Sequence, residues 1–160
     1  MSPRQRRYLL LEQGVGAGIV NFVLNAAIAW LMFRAATTVP MWGQQSVGGD
    51  TIATAFLLPF LTTLIVSRIV RGHVRRGHVT AFAWHGSRLG DWMPAGLGRR
   101  GAVLGLLAVV TVGVPATALL AGMGVVEMSV GGFVAFKALF GAALATIVTP
   151  LIARAALEDG

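Results

Sequence analysis

The sequence predicts an all-α integral membrane protein with four transmembrane helices, arranged as two helical hairpins that repeat in parallel. Hydrophobic residues make up 56% of the 160-residue chain and charged residues only 12%, against about 25% in an average soluble domain. Four apolar runs reach the ~20 residues that a helix needs to cross a bilayer. Lysine and arginine residues lie in alternate connections between those runs, as in a multi-pass protein.

The apolar runs give predicted spans at about 14–33, 51–70, 101–123 and 133–153, within one transmembrane domain that covers residues 1–160. The first run follows a basic N-terminal stretch and continues to Phe33. The apolar core of a cleaved signal peptide has only about 7–15 residues. We therefore interpret the first run as a retained helix.

The positive charges predict the orientation. Ten of the thirteen lie in the two termini and in the basic loop 71–100, whereas the connections 35–50 and 124–132 contain neither lysine nor arginine. Short loops rich in these residues face the cytoplasm. We expect both termini and the basic loop on the cytoplasmic side of a bacterial inner membrane. There the loop would contact anionic lipids, and this arrangement favours a lipid partner over a nucleic acid.

The tetrapeptide SVGG occurs twice, at 46–49 and at 129–132, which indicates an internal repeat. Glycines near the start of the first and third spans recur at a similar offset. Each half would then be a helix, an outward loop and a returning helix, with both halves in the same direction. Glycines four residues apart let helices approach closely, and the predicted packing positions are Gly14, Gly18, Gly101 and Gly105.

Two asparagines lie at membrane depth in the first span. Asn21 and Asn25 are one helical turn apart and share a face of the helix. An unsatisfied amide in hydrocarbon costs several kcal/mol. The two side chains therefore either line a hydrated solute pathway or form hydrogen bonds between helices.

Lys137 lies in the fourth span, about five residues from its outer end. The repeat pairs it with Thr54, another polar residue at the same depth, and we expect both to line a solute pathway. Asp50 and Glu127 lie at the same outer level, where they could pair with the lysine, and Arg34 would add positive charge. The functional hypotheses are a cationic outer vestibule or a lysine–carboxylate gate. The structural alternative is that the lysine extends to the outer interface.

The sequence also predicts what kind of protein this is not. It has no cysteine, its three histidines lie in the basic loop, and the middle of each span has no carboxylate. We expect no enzymatic activity, cofactor or metal site. The leading hypothesis is a small permease or channel-type protein that acts as a homo-oligomer and passes a small anionic or neutral solute. The alternative is a non-transporting accessory or assembly subunit of a larger membrane complex.

Overall fold

The computed structural model of the chain describes residues 7–77 and 96–158, and within them it has four helices long and apolar enough to cross a membrane. The protein is therefore of the multi-pass membrane type. The candidate spans are Gln13–Phe33, Val47–Arg75, Leu97–Gly122 and Val130–Leu157. The second and fourth extend several residues beyond the predicted limits at both ends. Most of the predicted loop 71–100, from 78 to 95, lies outside the described residues.

The spans are built from five α-helices and two π-helical segments. A π segment (Tyr8–Val15) leads into α1 (Gly16–Phe33), and α2 covers Val47–Arg75. The third span consists of α3 (Leu97–Ala108), a π segment (Val109–Gly113) and α4 (Val114–Gly122), and the fourth span is α5 (Val130–Glu158).

The π segment of the third span comes directly before a proline. The N–H of Val114 bonds the carbonyl of Val109, which is a five-residue step, and Pro115 follows. Proline has no N–H, and its ring clashes with the carbonyl four residues earlier. A widened turn accommodates it while the span continues as one helix.

Two short strands pair at one end of the bundle. Strand β1 (Thr38–Pro40) follows α1, strand β2 (Glu127–Ser129) precedes α5, and the two pair antiparallel with Val39 opposite Met128. Each strand comes from a different half of the chain. The ribbon therefore connects the two halves directly.

The chain order of the helices differs from their order in the bundle. The most extensive contacts join α1 to α5, α5 to α2, and α2 to α3. Helices α2 and α5 thus form a central pair, flanked by α1 and the third span. Buried apolar side chains form clusters at three places along this bundle, centred on Phe133 at the ribbon end, Leu144 in the middle and Val70 at the other end.

Candidate functional site

A buried ion pair connects the two central helices near the strand ribbon. The ammonium Nζ of Lys137 donates a hydrogen bond to Oδ1 of Asp50 at 2.5 Å. The lysine side chain is 5% exposed and the aspartate side chain 14%. Lys137 is therefore enclosed by the bundle. The pair carries no net charge, so the arrangement is a lysine–carboxylate contact and not an isolated cation.

Local sequence places Asp50 in the first turn of α2. Ser46 is extended, with φ −113° and ψ 159°, and its Oγ accepts a hydrogen bond from the N–H of Gly49 at 3.1 Å. This N-cap starts the helix at Val47. The carboxylate then lies near the positive end of the helix dipole, which favours its charge.

The direction of the lysine side chain explains its partner. Helix side chains tilt toward the helix N-terminus, and α5 begins at Val130 beside the start of α2. Lys137 lies seven residues into its helix, whereas Asp50 lies in the first turn of α2. The long side chain therefore reaches back by about one turn to meet the carboxylate.

Thr54 completes the cluster on α2. Its hydroxyl Oγ1 donates to Oδ2 of Asp50 at 3.5 Å, from one turn further along the helix. Both carboxylate oxygens consequently have a partner. The structure thus brings together three of the predicted site residues, Asp50, Thr54 and Lys137, which we call the ion-pair cluster.

The other two residues of the predicted outer vestibule lie apart from this cluster. Glu127 is exposed, and its Oε2 accepts a hydrogen bond from the hydroxyl of Thr38 across the strand ribbon at 3.0 Å. The guanidinium of Arg34 is exposed and lies 5.6 Å from the ring centre of Trp30, within cation–π distance. One of the sequence-based expectations was that Glu127 could pair with the lysine. In the structure Glu127 instead contacts the opposite strand.

The two asparagines bond their own helix. The amide Nδ2 of Asn21 donates to the carbonyl of Ala17 at 3.0 Å, and that of Asn25 to the carbonyl of Asn21 at 2.9 Å. Within residues 7–77 and 96–158, no group donates a hydrogen bond to either amide oxygen. Each asparagine therefore offers one amide oxygen that none of the described residues occupies.

Asn25 packs against α5 at Gly141. It is only 7% exposed, and a Cβ at Gly141 would lie 2.6 Å from its Cγ. Gly141 is one turn after Lys137, so the carboxamide lies one turn deeper in the bundle than the lysine. Sequence reasoning missed Gly141, although its position four residues after the lysine places both on one face of α5.

The predicted packing glycines lie at helix contacts. Gly14 is buried, and a Cβ at Gly18 would overlap the hydroxyl of Thr146. In the other half, a Cβ at Gly101 would lie 3.0 Å from the carbonyl oxygen of Phe60, and one at Gly105 would lie 2.8 Å from that of Phe56. The backbones of α3 and α2 thus approach closely at Gly101 and Gly105.

Metal binding has no candidate among the residues that the structure describes, because no three histidine, aspartate or glutamate side chains there are grouped to hold an ion. The chemistry of the cluster is ionic pairing and hydrogen bonding. Comparison of the chain with protein-family models, curated proteins and solved structures finds no significant match.

Proposed function

We propose that the protein is a small permease or channel-type protein in which the ion-pair cluster is the gate. The observation that supports this proposal is the Lys137–Asp50 contact, enclosed between the two central helices of an apolar bundle. The solute, small and either anionic or neutral, enters when the two charges of the pair separate. The protein would act in a bacterial inner membrane.

The energetic argument starts from the cost of burying charge. Taking an ammonium and a carboxylate out of water costs several kcal/mol each, and apolar residues of similar volume often stabilise a protein as well or better. Ionisable groups inside membrane spans are rare and mark functional sites, among them solute and ion pathways. The ion pair therefore contributes little net stability to the fold. A function in which the two charges separate explains its presence better.

The two asparagines would continue the pathway beyond the gate. Asn25 lies one turn deeper than the lysine, and Asn21 one turn deeper again along the same face of α1. Their free amide oxygens offer hydrogen-bond acceptors in succession. A solute that passes Lys137 loses hydrogen bonds to water, and hydrogen bonds to these amide oxygens would replace them.

Four helices bury too little to enclose a wide pathway, so we propose a homo-oligomer. Apolar side chains cover the outer surface of the bundle, including Ile19 and Val23 on α1 and Leu106 and Val110 on the third span. A second copy seated on such a surface would complete the walls of the pathway.

We also propose that the two halves are duplicated hairpins related by an axis along the membrane normal. Two observations support this. Ser129 accepts a hydrogen bond from the N–H of Gly132 at 3.2 Å, which repeats the cap that Ser46 forms with Gly49. In addition, α1 packs on α5 while α3 packs on α2, so each flanking helix contacts the returning helix of the other half.

The proposed orientation, with both termini and the basic loop cytoplasmic, is open to a labelling test. The chain has no cysteine, so single cysteines report without background. Val126, 79% exposed at the strand ribbon, should react as Val126→Cys with an impermeant maleimide added outside intact cells. Arg76→Cys, at the other end of α2 and exposed, should react only after the cells are opened. The reverse pattern would contradict the orientation.

On the cytoplasmic side, anionic lipids would contact the basic ends of the spans.

A liposome flux assay tests the proposed transport. We expect purified wild-type protein to carry a small anionic or neutral solute, and Lys137→Ala to lower that flux sharply. Arg68→Ala is the matched control, because it removes an exposed cation of α2 whose guanidinium bonds the carbonyl of Leu64 in its own helix, and it should leave the flux unchanged. If the protein carries none of the tested solutes, the transport proposal is refuted. If, in addition, a large partner copurifies with the protein, the accessory-subunit alternative is favoured. Unchanged flux in Lys137→Ala would remove the lysine from the mechanism.

A further inference from the structure

The composition of the ion-pair cluster restricts which solute can open it. Lys137 bonds Asp50, and Asp50 bonds Lys137 and Thr54. These are all the side-chain polar contacts that either charged group makes within residues 7–77 and 96–158. Neither charge therefore has a second charged partner there to compensate it when the pair separates.

A solute with one charge can satisfy only half of the pair. An anion bound to Lys137 would leave the carboxylate of Asp50 without a counter-charge, and a cation bound to Asp50 would leave the enclosed ammonium alone. Breaking a buried pair by removing one partner is strongly destabilising, because an uncompensated charge remains. A single-charge solute would meet this penalty at the moment of entry.

We infer that the solute is a compact zwitterion, whose anionic group binds Lys137 while its ammonium binds Asp50. This inference rests on the proposed transport function and specifies its solute class. Each charge of the pair exchanges one partner for another, so the number of unpaired charges stays at zero. A zwitterion is also electrically neutral overall, so it crosses the membrane without moving net charge.

The surroundings of the pair fit this solute better than a simple anion. An anion could otherwise be held by free N–H groups at the start of α2. However, the N–H of Gly48 bonds the carbonyl of Met41 at 3.0 Å and that of Gly49 bonds Ser46, so neither is free for an anionic group, whereas Lys137 offers it a positive charge. For the ammonium, the free amide oxygen of Asn25, one turn deeper, is a further acceptor.

Radiotracer uptake into proteoliposomes of the full chain tests the inference with four membrane-impermeant or slowly permeant probes. Glycine is the zwitterion, methanesulfonate the anion, tetramethylammonium the cation and urea the uncharged control. We expect saturable glycine uptake that exceeds uptake of each other probe by roughly tenfold or more, since an unpaired buried charge costs several kcal/mol. Glycine should also raise the thermal unfolding temperature of the detergent-solubilised protein, whereas methanesulfonate should not.

The double variant Asp50→Asn/Lys137→Met removes both charges together and leaves neither partner uncompensated. We expect it to fold, to lose the preference for glycine over urea, and to lose the glycine-dependent thermal shift. The Arg68→Ala protein should keep both. Faster uptake of methanesulfonate or urea than of glycine would overturn the zwitterion inference while leaving transport intact. Uptake of no probe and no thermal shift would overturn both proposals.

Discussion

Replacing Gly105 by alanine should measurably weaken the packing of the third span on α2. The added Cβ would lie 2.8 Å from both the carbonyl oxygen and a ring carbon of Phe56, about 0.6 Å short of the 3.4 Å at which ordinary van der Waals contact begins. The ring can turn, but the carbonyl belongs to the α2 backbone, so the two helices must move apart. Overpacking of this kind costs about 1–3 kcal/mol.

Gly98→Ala is the matched control on the same helix, because a Cβ at Gly98 meets no atom within 4 Å. Both substitutions add the helix propensity of alanine, up to about 1 kcal/mol. The difference between the two variants therefore isolates the steric cost. We expect Gly105→Ala to be less stable than Gly98→Ala by about 1–3 kcal/mol in SDS-induced unfolding in mixed micelles, followed by circular dichroism. Equal unfolding free energies for the two variants would refute the close approach of α3 and α2.

Three further stability predictions follow from the bundle, each measured by the same unfolding assay. Lys137→Met alone should cost about 3–5 kcal/mol because it leaves Asp50 without a counter-charge, and adding Asp50→Asn should recover most of that loss; additive costs would argue against a direct pair. Ser46→Ala and Ser129→Ala should each cost about 0.5–2 kcal/mol as lost N-caps, and no loss at either site would contradict its cap. Phe133→Ala should cost about 3–5 kcal/mol, because the ring is fully buried at the ribbon end, and a loss below about 1 kcal/mol would show that the site is loosely packed.

The four spans could be predicted from the sequence because hydropathy and length alone determine whether a helix can cross a bilayer. The residues at which α2 and α5 begin and end were harder to predict from the sequence. Both helices continue past the apolar run into polar residues, and α2 extends to Arg75. Hydropathy marks the thickness of the hydrocarbon layer, whereas hydrogen bonding determines where a helix ends.

The candidate site was predictable only in part. The sequence indicated that Lys137 had a polar equivalent in Thr54 and two candidate carboxylates at its level. It did not select between Asp50 and Glu127, because that choice depends on which helices adjoin and on the strand ribbon. The ribbon itself is only three residues long on each side, too short for an alternating pattern to identify it.

The packing of α1 on α5 has a consequence for synthesis. Of the four candidate spans, the first to leave the ribosome adjoins the fourth, which follows about 100 residues later along the chain. At ~5–20 residues per second, α1 would wait on the order of ten seconds for its neighbour. During that interval the carboxamide of Asn25 has no Gly141 against which to pack. Its Nδ2 already donates to the carbonyl of Asn21 in the same helix, so the first span can wait in the bilayer with that donor satisfied until the fourth span is made.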